Sequence, residues 1–352
     1  MKQTGRFLIY GATGFTGKLT ARTAKEMGLK PILAGRNKTK VVAVADPLGF
    51  QYRAFELSDP HAIDAALREV DVVLHIAGPF SATSKPMTDA CLRTGTHYLD
   101  ITGEIDVFEE LAARDAEAKR AGVMLMPGVG FDVVPSDCLA AHLKRRLPDA
   151  IDLKIDIGGL NAVSHGTMKS MVESIPNGAR VRRDGHIITV PQPRQTSCDF
   201  GEGPVPTLVL PWGDVSTAYY STGIQNIEVR MAVTPPLRIA MSLPGFARKM
   251  VGMQFAQSFL KAQIARMPEG PSDEVLRTGR RVLVGVVTNG NGENARARVT
   301  TAQGNVLTAQ AGVEIARRVI AGEVKAGFQT PSLVYGPDFI LQFEGAAREE
   351  LK

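Results

Sequence analysis

Cysteine is scarce in this chain: Cys91, Cys138 and Cys198 are the only three in 352 residues. The number is odd and no CxxC pair occurs, which excludes a disulfide framework and a thiolate zinc knuckle and points to free thiols in a reducing compartment. No uncharged apolar run reaches the ~18 residues that a membrane span needs. No apolar signal region precedes the first strand, so a cytoplasmic location is expected. Six histidines (61, 75, 97, 142, 165 and 186) show no metal-ligand spacing, so no metal site is expected. The net charge of +5 is dispersed. Its densest cluster, Arg180, Arg182 and Arg183, adjoins Asp184, and no nucleic-acid-binding motif accompanies it, so a nucleic-acid partner is excluded. No G-x-S-x-G elbow is present, against an α/β-hydrolase. No Tyr-x-x-x-Lys pair occurs, so the tyrosine–lysine proton donor of short-chain dehydrogenases is missing as well.

What is present begins almost at the first residue. Residues 7–10 are apolar and read as a buried strand. Gly11, Ala12, Thr13, Gly14, Phe15, Thr16 and Gly17 follow, and a helical stretch continues from Lys18. Strand, glycine turn and helix in that order form a pyrophosphate site. Gly11 makes the tight turn, Gly14 admits close backbone approach, and Gly17 lets the helix pack on the strand. The positive end of the helix then faces the phosphates. A second strand over 31–34 ends in Gly35, Arg36 and Asn37. A site for NAD carries an acid near this strand end for the ribose 2′-hydroxyl. None occurs between Glu26 and Asp46, and Arg36 stands there instead, flanked by Lys38 and Lys40. A guanidinium pairs with a phosphate dianion and stacks on adenine, so the expected cofactor is NADP. The plainer reading of Gly35-Arg36-Asn37 is a surface turn.

Strands and helices alternate up to about residue 130, the rhythm of a doubly wound parallel sheet of about six strands. The third strand leads past Ser58, placed on the cofactor side, with Ser58 or Asp59 as the N-cap of the next helix and Pro60 at its first position. Helices are expected over 84–94, 107–120 and 136–144. Beyond Pro127 strand-like runs dominate, at 153–158, 187–190, 217–221, 227–233, 281–288 and 294–300. With helices at 169–174 and 309–321, they predict a second, mainly antiparallel α+β domain. The expected domains are a Rossmann unit over 1–130, a substrate and dimerisation domain over 131–320, and a segment over 321–352 that packs back on the first.

Ligands of open α/β sheets bind outside the carboxyl ends of the strands. The fourth strand ends in Ala77, Gly78, Pro79 and Phe80, where small residues let the chain pass close to the nicotinamide half of the cofactor and Phe80 is placed to flank the ring. A Gly-Pro turn is the plainer reading. The fifth ends in Tyr98, Asp100, Gly103 and Glu104. Asp100 is read first as a hydrogen-bonded anchor, Gly103 is placed beside the cofactor, and Glu104 is either part of the site or a cap for the following helix. After the sixth strand comes Asp132, a candidate for orienting substrate or relaying protons, with a structural anchor as the equal alternative. His165 is the second catalytic candidate, because imidazole suits proton transfer near neutral pH. Residues 237–267 carry Phe246, Met250, Met253, Phe255 and Phe259 among Arg238, Arg248, Lys249, Lys261 and Arg266. This pattern reads as a helix packed on the domain or on a second subunit. A lipophilic lid or peripheral membrane contact is the sharper reading.

Taken in order, Tyr10–Gly17, Ala34–Asn37, Gly78–Phe80, Tyr98–Glu104, Gly130–Asp137, the run 327–332 and Tyr335-Gly336 resemble the saccharopine dehydrogenase-like oxidoreductases, in the branch that holds the trans-acting enoyl reductases. The resemblance spans nearly the whole chain. It implies an NADP-binding Rossmann domain, an α+β second domain that often mediates homodimerisation, and hydride transfer to or from an unsaturated, carbonyl or imine substrate, including an enoyl thioester or lipid. It does not imply saccharopine: the true saccharopine reductases have a Pro-Gly-Ile-Asp-His type sequence where this chain has Gly130-Phe-Asp-Val-Val-Pro135. A cofactor-bound regulator or lipid-associated scaffold without turnover is the alternative.

Overall fold

The computed structural model describes residues 4–159, 168, 172, 178–190, 195–232, 250 and 252–352. The chain divides into two units, Met1–Val134 with Asn305–Val334, and Pro135–Gly304 with Tyr335–Lys352.

The first unit holds a seven-stranded parallel sheet. In chain order its strands are β1 (Phe7–Tyr10), β2 (Ile32–Gly35), β3 (Tyr52–Ala54), β4 (Val72–His75), β5 (His97–Asp100), β6 (Met124–Met126) and β15 (Gly327–Phe328). Their spatial order is β15-β6-β5-β4-β1-β2-β3, and every pair is parallel. The order reverses between β1 and β4, which is the topological switch point of a Rossmann sheet. β1 and β4 are buried along their whole length because helices cover both faces, so they read as continuous apolar runs rather than alternating ones. Helix α1 (Phe15–Glu26) turns Gly17, Thr20, Ala21 and Ala24 inward at helical spacing. The stretch expected as one helix over 107–120 is two, α5 (Ile105–Ala113) and α6 (Asp115–Ala121), broken at Arg114. The late segment from Asn305 returns to this unit. Its helix Gly304–Ile320 packs Gly312 on Leu74, where a Cβ would lie 3.2 Å from the leucine. β15 then extends the sheet beyond the six strands expected.

The second unit contains β7 (Ala150–Gly158), β8 (Ala179–Arg183), β9 (His186–Val190), β10 (Gln195–Asp199), β11 (Pro204–Val209), β12 (Asn226–Ala232), β13 (Arg280–Asn289), β14 (Asn294–Ala302) and β16 (Ala347–Leu351). Their main path runs β10-β11-β12-β7-β13-β14-β16, with β8 on β12 and β9 on β8. All pairs are antiparallel except β12 with β7. Alternation is clear in β12, where Ile227, Val229 and Met231 are buried. Helix α7 (Val134–Arg146) lies against Gly285, where a Cβ would stand 2.6 Å from Leu143. The last residues belong to this unit, as edge strand β16 on β14, with Glu350 within 2.6 Å of His142. Only 305–334 of the late chain goes to the Rossmann unit.

Residues 217–221, expected as a strand, lie in a helix, Asp214–Thr222. Thr217, Tyr219 and Tyr220 favour strands, but Val215 and Ala218 are fully buried three residues apart and Gly223 closes the helix at φ 71°. Tertiary burial overrides the local preference. His165, most of 169–174 and residues 237–249 lie outside the described residues.

Candidate functional site at the carboxyl ends of the first sheet

The turn after β1 is built by its glycines. Gly11 has φ 94°, and a Cβ there would lie 2.8 Å from the backbone of Ile76 and Ala77 on the neighbouring strand end. At Gly17 a Cβ would fall 2.2 Å from the Gly11 carbonyl oxygen, so only glycine lets α1 start this close to the strand. Gly14 differs. It is exposed, and among the described residues a Cβ there would meet nothing nearer than the Gly11 oxygen at 3.7 Å. Gly14 is the N-cap of α1; it has no side chain with which to cap that end, and no acid lies in the first turn.

The neighbouring helix ends are treated otherwise. At α2 (Lys38–Ala45) the Asn37 side chain accepts from the Lys40 N–H at 3.0 Å. At α3 (Pro60–Leu67) Asp59 accepts from His61 and Ala62. α1 thus begins on a residue with no capping side chain and with room for a Cβ, and this fits a diphosphate. Arg36 stands exposed just past β2. Asn37 is used as a helix cap, and exposed Ser58 donates to Glu56 at 3.3 Å, Asp59 being the cap of α3. Ala12 is buried beneath the loop, and Thr13, Phe15 and Thr16 are half-buried in it. Gly35 is buried, its missing Cβ 3.2 Å from Val41.

Beyond β4, Ala77 is half-buried while Gly78 and Pro79, joined by a cis peptide, are exposed. Phe80 turns inward, 7% exposed, and meets His75 edge-on with ring centroids 5.5 Å apart. Its ring is part of the core, so at this strand end it offers backbone rather than an aromatic face. Burial holds His75 neutral, lowering its pKa to about 3.

Beyond β5, Asp100 is fully buried. One oxygen accepts from the Tyr98 hydroxyl at 2.7 Å, the other from the N–H groups of Thr102 at 2.9 Å and Gly128 at 3.0 Å. Burial pushes its carboxyl up to about 6 against the pull of these bonds. The anchor reading of Asp100 is the one its partners support. Glu104 is the N-cap residue of α5, yet its side chain does not cap that helix. Its two oxygens accept instead from Phe80 N at 3.0 Å and Ser81 N at 2.8 Å, at the start of α4 (Phe80–Thr94).

Asp132, half-buried beyond β6, lies against Gly103, where a Cβ would be 3.0 Å from its Oδ2. Desolvation pushes its carboxyl up to about 7. A carboxyl raised in this way at the strand-end edge suits general acid–base work. Two further residues arrive from the returning helix: Asn305 reaches Thr16 Oγ1 at 3.4 Å, and Thr308 Oγ1 accepts from Phe131 N at 3.0 Å. They lie 289 and 177 residues from their partners, and no sequence signal marks them. No group of three or more metal-binding side chains occurs among the described residues, and no helix among them is long and apolar enough to cross a membrane.

Residues 7–126 match the family described as saccharopine dehydrogenase NADP binding domain. A trans-acting enoyl reductase of Mycobacterium leprae is 35% identical over 148 residues, which is 40% of this chain and 35% of the relative. One of Mycobacterium ulcerans is 32% identical over 153 residues, with the same coverage. The match thus spans about a third of the length of these relatives. Saccharopine dehydrogenase (L-Glu forming) of Saccharomyces cerevisiae aligns over 99% of this chain and 100% of its own, with a TM-score of 0.67 and 12% identity, a likeness of fold.

Proposed function

We propose that the chain, whose residues 7–126 match the family described as saccharopine dehydrogenase NADP binding domain, is an NADP-dependent oxidoreductase acting on an unsaturated or carbonyl substrate, with an enoyl thioester as the first candidate. The α1 corner carries the reading, with a glycine N-cap that has no side chain, room for a Cβ at Gly14, and Arg36 past β2 in place of an acid. Gly11, Ala12, Thr13, Gly14, Phe15, Thr16 and Gly17 would hold the diphosphate. Gly35, Arg36, Asn37 and Ser58 would line the adenosine side, with Arg36 on the 2′-phosphate. Ala77, Gly78, Pro79, Phe80 and Gly103 would line the nicotinamide side. When bound, nicotinamide supplies or accepts the hydride. Asp132 would hold the proton that accompanies it, and His165 is a second candidate for that role. The enoyl substrate is suggested by the activity named for the mycobacterial relatives.

Calorimetry with NADPH followed by stopped-flow NADPH oxidation against enoyl thioesters, imines and aldehydes tests this. Binding with oxidation of one class is expected. Binding without oxidation across the panel favours the cofactor-bound regulator, and no binding of either coenzyme form overturns the reading.

The partner surface we propose is the stretch 237–267. Its described residues Met250, Met253, Phe255, Phe259 and Met267 are 52–76% exposed. Exposed apolar side chains in a stretch whose sequence also carries lysine and arginine suit an anionic lipid surface. A homodimer seam is the competing occupant. Co-sedimentation with anionic vesicles and sedimentation velocity, for the wild type and a Phe255/Phe259 double alanine variant, separate the two.

A further inference from the structure

We propose that Glu104 is a positioning residue for the nicotinamide half of the cofactor, acting through the Ala77–Phe80 turn. The inference rests on the cofactor reading above. Pro79, the N-cap of α4, has no side-chain acceptor, and no acid lies in the first turn of that helix. Glu104 supplies the acceptor from another strand end, 24 residues away from Phe80 and 23 from Ser81. Two N–H donors on one carboxylate at a helix N-terminus make a charge-assisted pair that the helix dipole favours.

The other side of the turn is held as well. Thr83 Oγ1 lies 2.7 Å from the Ala77 carbonyl oxygen and 3.0 Å from that of Pro79, and His75 Nε2 stands 3.0 Å from the same hydroxyl. Glu104 is itself fixed, because its N–H donates to Thr102 Oγ1 at 3.0 Å and the Thr102 N–H donates to Asp100. Asp100 also receives the Gly128 N–H from the β6 corner, and Gly103 leaves the space that the Asp132 carboxyl approaches. Residues 100–104 therefore tie the loops beyond β4, β5 and β6 into one edge. Glu104 is the member that reaches β4. The carboxylate also takes the place an anion would take at α4, leaving α1 as the end for the diphosphate.

The test compares wild type, Glu104→Gln and Glu104→Ala in calorimetric titrations with NADPH and with 2′-phospho-ADP-ribose, which lacks nicotinamide. Amide exchange of Phe80 and Ser81 is followed alongside. Glu104→Ala should weaken NADPH by roughly 10-fold or more while the fragment stays within about 2-fold, the loss expected when charge-assisted bonds hold one loop. Glu104→Gln keeps one acceptor oxygen and should fall between, with exchange at both amides rising in the same order. If Glu104→Ala does not fold, the glutamine variant carries the test. Unchanged NADPH affinity, or equal weakening of NADPH and fragment, overturns the proposal. Wild type that binds neither ligand overturns the cofactor reading itself and this inference with it.

Discussion

Two helices start at the carboxyl edge of the same parallel sheet, flanking the point where strand order reverses, and they finish their N-termini in opposite ways. At α4 the end is filled from within, by both oxygens of Glu104. At α1 the N-cap is Gly14, which has no side chain to cap with and where a Cβ would meet nothing closer than the Gly11 oxygen at 3.7 Å. Both ends have the same dipole and the same unmet donors. This difference supports the proposal that the α1 end takes an outside anion.

The comparison breaks most sharply if α1 is given its own acid. Gly14→Asp places a favoured N-cap residue at φ −77°, ψ 169°, where an L side chain is unstrained. It should raise unfolding stability by up to about 1 kcal/mol while weakening NADPH by roughly 100-fold or more, through lost space and like charge. Urea unfolding and calorimetry check the two halves. Gly17→Ala, three residues on, should do the reverse: a Cβ against the Gly11 oxygen costs about 1–3 kcal/mol of stability, read in the same denaturation series.

Next in size is Arg36→Glu, which should cost NADPH roughly 10–100-fold in affinity, the worth of charge-assisted bonds to a phosphate, and leave NADH favoured. Unchanged relative affinities would remove Arg36 from the 2′-phosphate. The smallest effect concerns the β6 side of the edge. Asp132 has its pKa raised to about 7, so the folded state binds more protons than the unfolded one between about pH 4 and pH 7. Its contribution is therefore full below the unfolded value and lost as pH rises through the folded one. Asp132→Asn should flatten the decline of stability across that window, measured as the urea midpoint against pH. An unaltered slope would show that Asp132 does not titrate there.

The parts of the site legible in the sequence are those decided by residues close together in the chain. Gly11, Gly14 and Gly17 stand between a buried strand and a helix, and the spacing alone implies the turn. The absence of an acid after β2 is equally local. Glu104 marks where this legibility ends. Its place just before α5 suggests a cap for that helix, whereas its carboxylate crosses to α4. Phe80 shows the same limit: its position past β4 suggests a cofactor contact, but the space beside His75 draws the ring inward. The helix Asp214–Thr222 follows burial rather than the strand preference of its threonine and tyrosines.

Composition and local pattern were enough to determine a dinucleotide-binding sheet followed by a mainly antiparallel domain, because hydrophobic period and glycine spacing act over a few residues. Tertiary structure alone decided which acid closes the α4 end, how Asn305 comes to lie against Thr16 of the first loop, and how Thr308 comes to hold Phe131. Those outcomes depend on strands and loops far apart in sequence arriving at one sheet edge, where hydrogen-bond donors must be satisfied by whatever side chain the packing brings within reach.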